Sequence, residues 1–200
     1  MGARKNYYDL NKPLKLQKGV YLIEVLISLL IIAISLLGLA GLQARANNAE
    51  FESYQRSQAI MLATDMVERI KMNRKELGAF KNINGFVGTN GTGAYSLDCS
   101  APNSQFSKDM CAWSDLLQGS AEKNSLGNYI GSVIDARGCI SYDASTEYNT
   151  IADTGIFTVA VAWQGTNDTV TPTNLCGSGL YGAETKRRVI SLAFRLGKLS

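Results

Sequence analysis

The chain has 200 residues, of which 18% are charged and 8% aromatic, so its composition is typical of a globular protein and excludes a largely disordered one. Its net charge of +3 is uneven, because residues 1–19 carry five basic residues against Asp9, a net of +4, and the other residues therefore sum to about −1. A basic balance that comes from one short tail is poor evidence for nucleic-acid binding, and no nucleic-acid partner is expected. The basic residues of this tail are Arg4, Lys5, Lys12, Lys15 and Lys18.

The chain contains no histidine, the residue that most often serves as a general base and as a transition-metal ligand. A serine or cysteine nucleophile therefore lacks its standard base, and we expect neither an enzyme nor a bound cofactor. Four loop aspartates lack EF-hand spacing, so they are interpreted as solvated turn residues and no metal site is predicted. They are Asp135, Asp143, Asp153 and Asp168.

An uncharged run extends from Val25 to Ala44, and a helix of about 20 apolar residues spans the hydrocarbon core of a bilayer. The run is longer than the ~7–15 apolar residues of an ordinary secretory signal, so it indicates a retained membrane anchor. Basic residues beside such a segment stay in the cytoplasm. Residues 1–19 are therefore expected to be cytoplasmic and the C-terminal part of the chain to lie across the membrane.

Glu24 stands at the start of this apolar region, where a carboxylate is costly unless it has a partner. Lys18 is one candidate partner. A second arises if the chain is cut after Gly19, because the new amino terminus on Val20 then lies one helical turn before Glu24. This pair would form within one chain or between neighbouring chains.

The sequence KGVYLIEVLISLLIIAISLLGLAGLQ, residues 18–43, resembles the type IV prepilins. Their short basic leader ends in Gly, and Glu is fifth in the mature chain. Here Gly19 closes the leader and Glu24 is fifth after it, whereas Val20 stands where the family usually has Phe. The resemblance implies cleavage between Gly19 and Val20 by a prepilin peptidase on the cytoplasmic side, N-methylation of Val20 and retention of the apolar helix. From the cost of an unpaired carboxylate, we expect Glu24 to form its ion pair with an amino terminus during assembly.

Two other interpretations of the N-terminal segment stay open. One is a plain signal-anchor helix in which Glu24 is incidental. The other is a signal peptide cut after Ala46, since residues 44–46 match the Ala-x-Ala cleavage pattern. Neither interpretation gives Glu24 a role.

An apolar stripe at helical spacing continues beyond the membrane segment and predicts one spine helix over residues 20–77. The helix is expected to span the membrane to about residue 44 and to be amphipathic afterwards. Phe51 and Tyr54 extend the stripe backwards, and Gly78 is the predicted C-cap. The stripe should pack on a globular domain, residues 78–200. Its members are Ala59, Leu62, Ala63, Met66, Val67 and Ile70.

The residues that follow, 78–106, are rich in Gly, Asn, Ser and Thr and predict a loop. A short helix is predicted over 108–118, with Ser107 as its N-cap and Gly119 at its end.

Alternation with a period of two predicts strands at 156–163 and 187–196, a shorter strand at 138–142 and a weaker candidate at 128–134. The basic run 186–188 is interpreted as a solvated strand end, with DNA contact as the weaker hypothesis. A helix first and antiparallel strands last make an α+β fold, a long N-terminal helix packed on a small antiparallel sheet.

The four cysteines form no Cys-x-x-Cys pair, which argues against a zinc ribbon or a thioredoxin-type site. An even number beyond a membrane segment indicates two disulfides in an oxidising compartment, with four buried free thiols as the alternative. Pairing of sequence neighbours is one of three possible connectivities, and it is the one we expect. It would join Cys99 to Cys111 and Cys139 to Cys176.

This layout resembles the type IV pilin fold, and three segments are similar to the minor pilin family PilV. They are QAIMLATDMVERIKMNR, a strand ending in AVAWQG, and RRVISLAF after a loop that contains a cysteine. The resemblance implies a minor pilin that helps initiate pilus assembly in a tip complex. The implied location is the inner membrane, crossed once with a periplasmic C-terminal domain, and then the pilus fibre or its tip.

The partners that this resemblance implies are other minor and major pilins, the prepilin peptidase and a large tip adhesin. Two alternative functions remain. One is a minor pseudopilin of a type II secretion or DNA-uptake machine. The other is a membrane-anchored periplasmic binding domain that never polymerises.

Overall fold

The computed structural model describes residues 20–120, 125–126 and 133–197. Its first helix, α1, extends from Val20 to Met72. The chain divides within α1 into an N-terminal unit that ends at Asn47 and a second unit that begins at Asn48. The predicted leader, residues 1–19, and most of the weak strand candidate at 128–134 lie outside the described residues.

In the second unit, α1 turns its apolar stripe into the core, as the periodicity predicts. Ala59, Ala63, Met66 and Ile70 are fully buried, because side chains three and four residues apart share one helix face. Leu62 is partly buried against the same core.

The backward extension of this stripe is wrong. Phe51 and Tyr54 remain 42% and 52% exposed. The buried position one turn before Ala59 belongs instead to Gln55, which is only 1% exposed. Neither polar atom of the Gln55 amide has a hydrogen-bond partner among the described residues. A polar side chain is therefore buried where the apolar stripe predicted Phe51 and Tyr54.

Helix α1 ends at Met72, earlier than the predicted end at residue 77. A 3-10 turn at Arg74–Glu76 and a short helix, α2, at Leu77–Lys81 follow, so Gly78 lies inside α2 and is not a C-cap. A tertiary contact explains the early end. The buried carboxylate of Asp109 accepts hydrogen bonds from Arg69 Nη1 at 3.2 Å and from Asn73 Nδ2 at 3.4 Å.

The next helix, α3, extends over Gln105–Leu117 and begins three residues before its predicted start. Its N-cap is Ser104, whose Oγ accepts from the backbone N–H of Ser107 at 3.1 Å. Ser107 is the reciprocal member of this capping box, because its own Oγ accepts from the Ser104 N–H at 3.0 Å. The prediction of Ser107 as the cap is therefore wrong, whereas Gly119 does follow the helix with a φ of 94°.

Within the described residues, four strands form one antiparallel sheet in the order β1-β2-β3-β4. Their bounds are Val87–Gly88, Arg137–Asp143, Ile156–Gln164 and Arg187–Arg195. The three longer strands confirm the alternation in the sequence. The two-residue β1 is too short to produce a periodic pattern, and it lies within the predicted loop.

The two faces of the sheet have different covers. One face carries the main core, where Phe157, Val159 and Val161 of β3 pack with α1 and α3. On the other face, Ala160 and Ala162 pack with Cys176 and Tyr181 of the β3–β4 loop, residues 165–186. The loop therefore acts as a third layer over the sheet.

The fully buried Trp113 of α3 joins three elements of the core. Its Nε1–H donates to the carbonyl of Leu62 on α1 at 2.9 Å. Its ring lies over Gly138 of β2, where an added Cβ would come within 2.2 Å of Trp113 Cη2 and 2.7 Å of Leu117 Cδ1. Glycine at 138 therefore permits the close approach of α3 to β2.

We predict that Gly138→Ala lowers the free energy of unfolding by about 1–3 kcal/mol, because the methyl group overpacks the ring contact. Urea denaturation of the full chain in detergent micelles, followed by tryptophan fluorescence, measures this change. Gly78→Ala is the matched control, since no atom lies within 4 Å of the added Cβ. Equal stabilities of the two variants would contradict the prediction.

Candidate assembly surfaces

The N-terminal unit displays an apolar helical surface. Within the described residues, α1 from Tyr21 onward is long and apolar enough to cross a membrane by length and composition, and its most apolar window has a mean hydropathy of 2.8. None of that window is buried by the rest of the chain. A surface of this size needs lipid or other helices around it, because contiguous exposed apolar area is unfavourable in water.

Glu24 is the acidic residue at the start of this surface, and its side chain is exposed. Among the residues described, no ion pair involves its carboxylate. Val20 begins α1, one helical turn earlier. Lys18 and Gly19, the other residues of the predicted processing site, lie outside the described residues.

In the second unit, disulfides tie down two irregular segments of the described chain. Cys99–Cys111 joins the segment before α3 to α3 itself. Cys139–Cys176 joins β2 to the β3–β4 loop. Each disulfide therefore fixes a loop to a regular element of the core.

Arg187 holds the β3–β4 loop from inside, and it is almost fully buried. Its Nε donates to Glu184 Oε2 at 2.6 Å, and Nη1 donates to the carbonyls of Asn174 and Cys176. Nη2 donates to the carbonyl of Pro172 at 3.2 Å. One guanidinium therefore satisfies three loop carbonyls and a carboxylate, the multidentate role for which arginine is suited.

A second buried guanidinium, that of Arg137, lies between the rings of Phe86 and Tyr181, at 5.3 and 4.9 Å from their centroids. Such contacts stabilise a cation through the negative faces of aromatic rings. Arg137 Nη1 donates to Asp135 Oδ2 at 2.7 Å, and the Tyr181 hydroxyl donates to the Asp135 carbonyl at 3.0 Å. Burial raises the pKa of Tyr181 to about 12, so its hydroxyl stays protonated at neutral pH.

Glu52 attaches the start of the same loop to α1. Its Oε1 accepts from Thr166 Oγ1 at 2.9 Å, from the Asn167 N–H at 3.2 Å and from Arg188 Nη2 at 3.4 Å. Burial by itself raises the pKa of Glu52, but these hydrogen bonds and the charge of Arg188 outweigh it and lower the pKa overall.

These contacts correct the interpretation of residues 186–188 as a solvated strand end, because Arg187 is buried and Arg188 is bonded to Glu52. Gln55 and Glu52 were not predicted as structural residues from the sequence. Only the amphipathic pattern of α1, which places both beside the apolar stripe, could have indicated that Gln55 is buried and Glu52 partly buried.

The four loop aspartates do not converge. Each contacts a different partner, and no group of three or more His, Cys, Asp or Glu in the described part of the chain could hold a metal ion. The pairs are Asp135 with Arg137, Asp143 with Ser145, Asp153 with Lys81, and Asp168 with Thr185.

Apart from the carbonyls that bond Arg187, the β3–β4 loop exposes apolar side chains to solvent. Val170 and Leu175 are 89% and 78% exposed. The residues on either side of Leu175 are held by Arg187 and by the disulfide. Beside Val170, the Thr169 N–H donates to the Thr185 carbonyl at 2.8 Å, so both side chains are displayed from hydrogen-bonded backbone. An ordered loop loses less conformational entropy when it binds a partner than a flexible loop does.

We predict that replacing both Cys139 and Cys176 by serine lowers the free energy of unfolding by about 2–4 kcal/mol, because the unfolded chain loses a constraint. The matched serine double variant of Cys99 and Cys111 should lower the free energy of unfolding by less, since that bridge spans 12 residues rather than 37. Urea denaturation measures both values. Peptide mapping without reduction tests the pairing, and a peptide that joins Cys111 to Cys139 would contradict it.

Residues 41–118 match a family described as Tt1218-like, type IV pilin Tt1218. No curated protein and no solved structure matches the chain. The match covers the second part of α1 through α3, and the long N-terminal helix followed by a four-stranded antiparallel sheet is consistent with the type IV pilin fold. The chain is therefore similar to type IV pilins, which are structural subunits that assemble with one another.

Proposed function

We propose that this chain is a minor type IV pilin that helps to initiate pilus assembly in a tip complex. The observation that carries the proposal is the exposed apolar surface of α1 with Glu24 at its start. That surface belongs to the same helix that enters the match to type IV pilins at residue 41. The resemblance of three segments to the minor pilin family PilV supports the minor rather than the major class.

In this proposal, residues 1–19 are a cytoplasmic leader that a prepilin peptidase removes after Gly19, and Val20 is then N-methylated. The basic residues of the leader support this orientation. The mature chain crosses the inner membrane once and places its domain in the periplasm. The two disulfides support the oxidising side of the membrane.

Assembly requires the helix to leave lipid for a bundle of other pilin helices. Glu24 then pairs with a methylated amino terminus, either its own or that of a neighbouring subunit. A carboxylate in an apolar environment is stabilised mainly by an opposite charge at short distance, so the pair favours the register in which the two groups meet. The domain contributes selectivity, because the ordered β3–β4 loop determines which neighbours fit. Other minor and major pilins and a large tip adhesin are the proposed partners.

A minor pseudopilin of a secretion or DNA-uptake machine would use the same helix in the same way. Recovery of the chain in sheared pilus fractions separates the two functions, since a pilin is carried on the fibre. A membrane-anchored binding domain that never polymerises would need neither cleavage at Gly19 nor Glu24.

We predict that the mature protein begins at Val20 and carries one added methyl group. Intact-mass measurement and N-terminal sequencing of the protein purified from membranes test this directly. A chain that begins at Asn47 would contradict the proposal, because it would have lost the apolar helix.

We predict that Glu24→Gln and Glu24→Ala leave membrane insertion and processing intact but reduce recovery with partner pilins by roughly tenfold or more, because the ion pair is lost. Pull-down of partner pilins from membranes, beside a blot for the processed form, measures both effects. Glu50→Gln is the matched control, since Glu50 is an exposed carboxylate on the same helix outside the apolar run. Wild-type recovery of partners by a processed Glu24 variant would show that Glu24 is incidental.

A further inference from the structure

The outer edge of the sheet at β4 has no paired strand in the part of the chain that the structure describes. One hydrogen bond just before the strand shows which residues of β4 point their N–H and C=O groups toward β3 and which point them outward. The Gly165 N–H donates to the Lys186 carbonyl at 2.8 Å, and these residues continue the register in which Gln164 lies opposite Arg187. Bonded and unbonded positions alternate along an antiparallel strand. The even-numbered residues of β4 therefore bond β3, and the odd-numbered ones direct their N–H and C=O groups to the free edge.

The middle of the free edge lacks the charges and prolines that usually protect edge strands. Between Val189 and Phe194 there is no charged residue and no proline. Ser191 and Ala193 are exposed and have small side chains, so the backbone groups beside them are accessible. An accessible row of unpaired donors and acceptors is a template for strand addition.

The apolar row of β4 is also incompletely covered. Ile190, Leu192 and Phe194 face the core but remain only partly buried at the edge of the sheet. A groove of about 360 Å³ lies between α1 and the start of β4, and its lining is mixed: Glu52, Ser53, Arg56 and Arg188 beside Trp163, Val189 and Ile190. A further strand would place apolar side chains beside the apolar row of β4, which buries apolar surface on both partners.

Basic groups surround both ends of β4. Glu184 pairs with Arg187, Glu52 with Arg188 and Glu68 with Lys71. Four further basic residues near the two ends have no carboxylate within 4.0 Å among the described residues. Arg56 and Lys186 lie near the start of β4. Near its end, Arg74 Nη1 donates to the carbonyl of Gly197, and Arg195 Nη1 donates to the carbonyl of Thr146. Pairing of β4 with a second copy would bring basic ends together, which is unfavourable, whereas acidic residues would be attracted to both ends.

We propose that the free edge of β4 is a strand-addition site for an extended segment of another protein, with alternating apolar residues and a carboxylate at each end. The incoming strand bonds the outward N–H and C=O groups of Val189, Ser191 and Ala193. Its apolar side chains pack beside Leu192 and its carboxylates face the basic groups at the two ends. This surface is separate from the Glu24 surface, and the proposal does not depend on the pilin function.

The test uses the full chain in detergent micelles and a synthetic probe, a capped peptide of alternating valine and threonine with glutamate at both ends. We expect fluorescence anisotropy to show binding that weakens at least tenfold when lysine replaces both glutamates. Hydrogen exchange should show new protection at the amides of Val189, Ser191 and Ala193. Absence of binding, or protection confined to other parts of the sheet, would overturn the proposal.

Two variants separate edge pairing from general damage to the domain. Ser191→Pro removes one outward N–H and leaves the bonds to β3 in place, since proline is tolerated where the N–H of an edge strand faces solvent. It should weaken peptide binding about tenfold, the equivalent of one hydrogen bond. Ser191→Ala, the matched control, keeps the N–H and should bind as the wild type does.

Ala193→Lys places a charge at the same edge without altering the backbone, so it tests the site even if Ser191→Pro does not fold. Weaker binding by this variant is the expected result, and wild-type binding would overturn the proposal. Sedimentation of the full chain without peptide tests whether a second copy of the chain occupies the edge instead. Self-association that Ala193→Lys abolishes would show that a second copy, rather than an acidic strand, occupies the edge.

Discussion

The arrangement of the second unit depends on the buried indole of Trp113. Its N–H is bonded to the carbonyl of Leu62, so the ring is oriented and not merely packed. The ring then contacts Gly138, where no larger residue fits. A bulky side chain on α3 and a missing one on β2 together allow α3 to approach the sheet closely. On α1, the short side chains of Ala59 and Ala63 are fully buried in the same core.

Two buried arginines organise the opposite face of the sheet. Arg137 fixes the aromatic rings at one side of the β3–β4 loop, and Arg187 satisfies carbonyls along the loop itself. Removing one partner of a buried, bonded charge is far more costly than removing an exposed one. The loop is therefore held by polar contacts that specify one conformation. This is consistent with a surface that selects among partners by shape.

The long elements of the fold could be predicted from the sequence, because each contains enough repeats of its period. This applies to the apolar half of α1, to the stripe from Ala59 to Ile70 and to β3 and β4. What could not be predicted depends on contacts between segments far apart in the chain. Asp109 determines where α1 ends, and β1 exists only because β2 lies beside it.

The candidate site divides in the same way. Glu24 could be singled out from the sequence, because a carboxylate directly before a long apolar run is visible without any knowledge of the fold. The roles of Arg187 and Glu52 could not be, since a basic run and a helix carboxylate usually indicate solvated residues. Both became buried or bonded only when the β3–β4 loop folded back over the sheet. The free edge of β4 likewise depends on strand order, which periodicity does not determine.

The bridge between Cys139 and Cys176 has a mechanical consequence. A chain pulled from its N-terminal helix and from a site that follows Cys176 lengthens as segments detach, and each residue released adds at most ~3.3–3.6 Å. The 37-residue span between these cysteines is closed by a covalent bond, so tension passes through the sulfur atoms and bypasses β3. The residues between the two cysteines, which would otherwise extend by about 120–130 Å, therefore cannot lengthen under tension. Under load, such a domain transmits force without lengthening through its central strand.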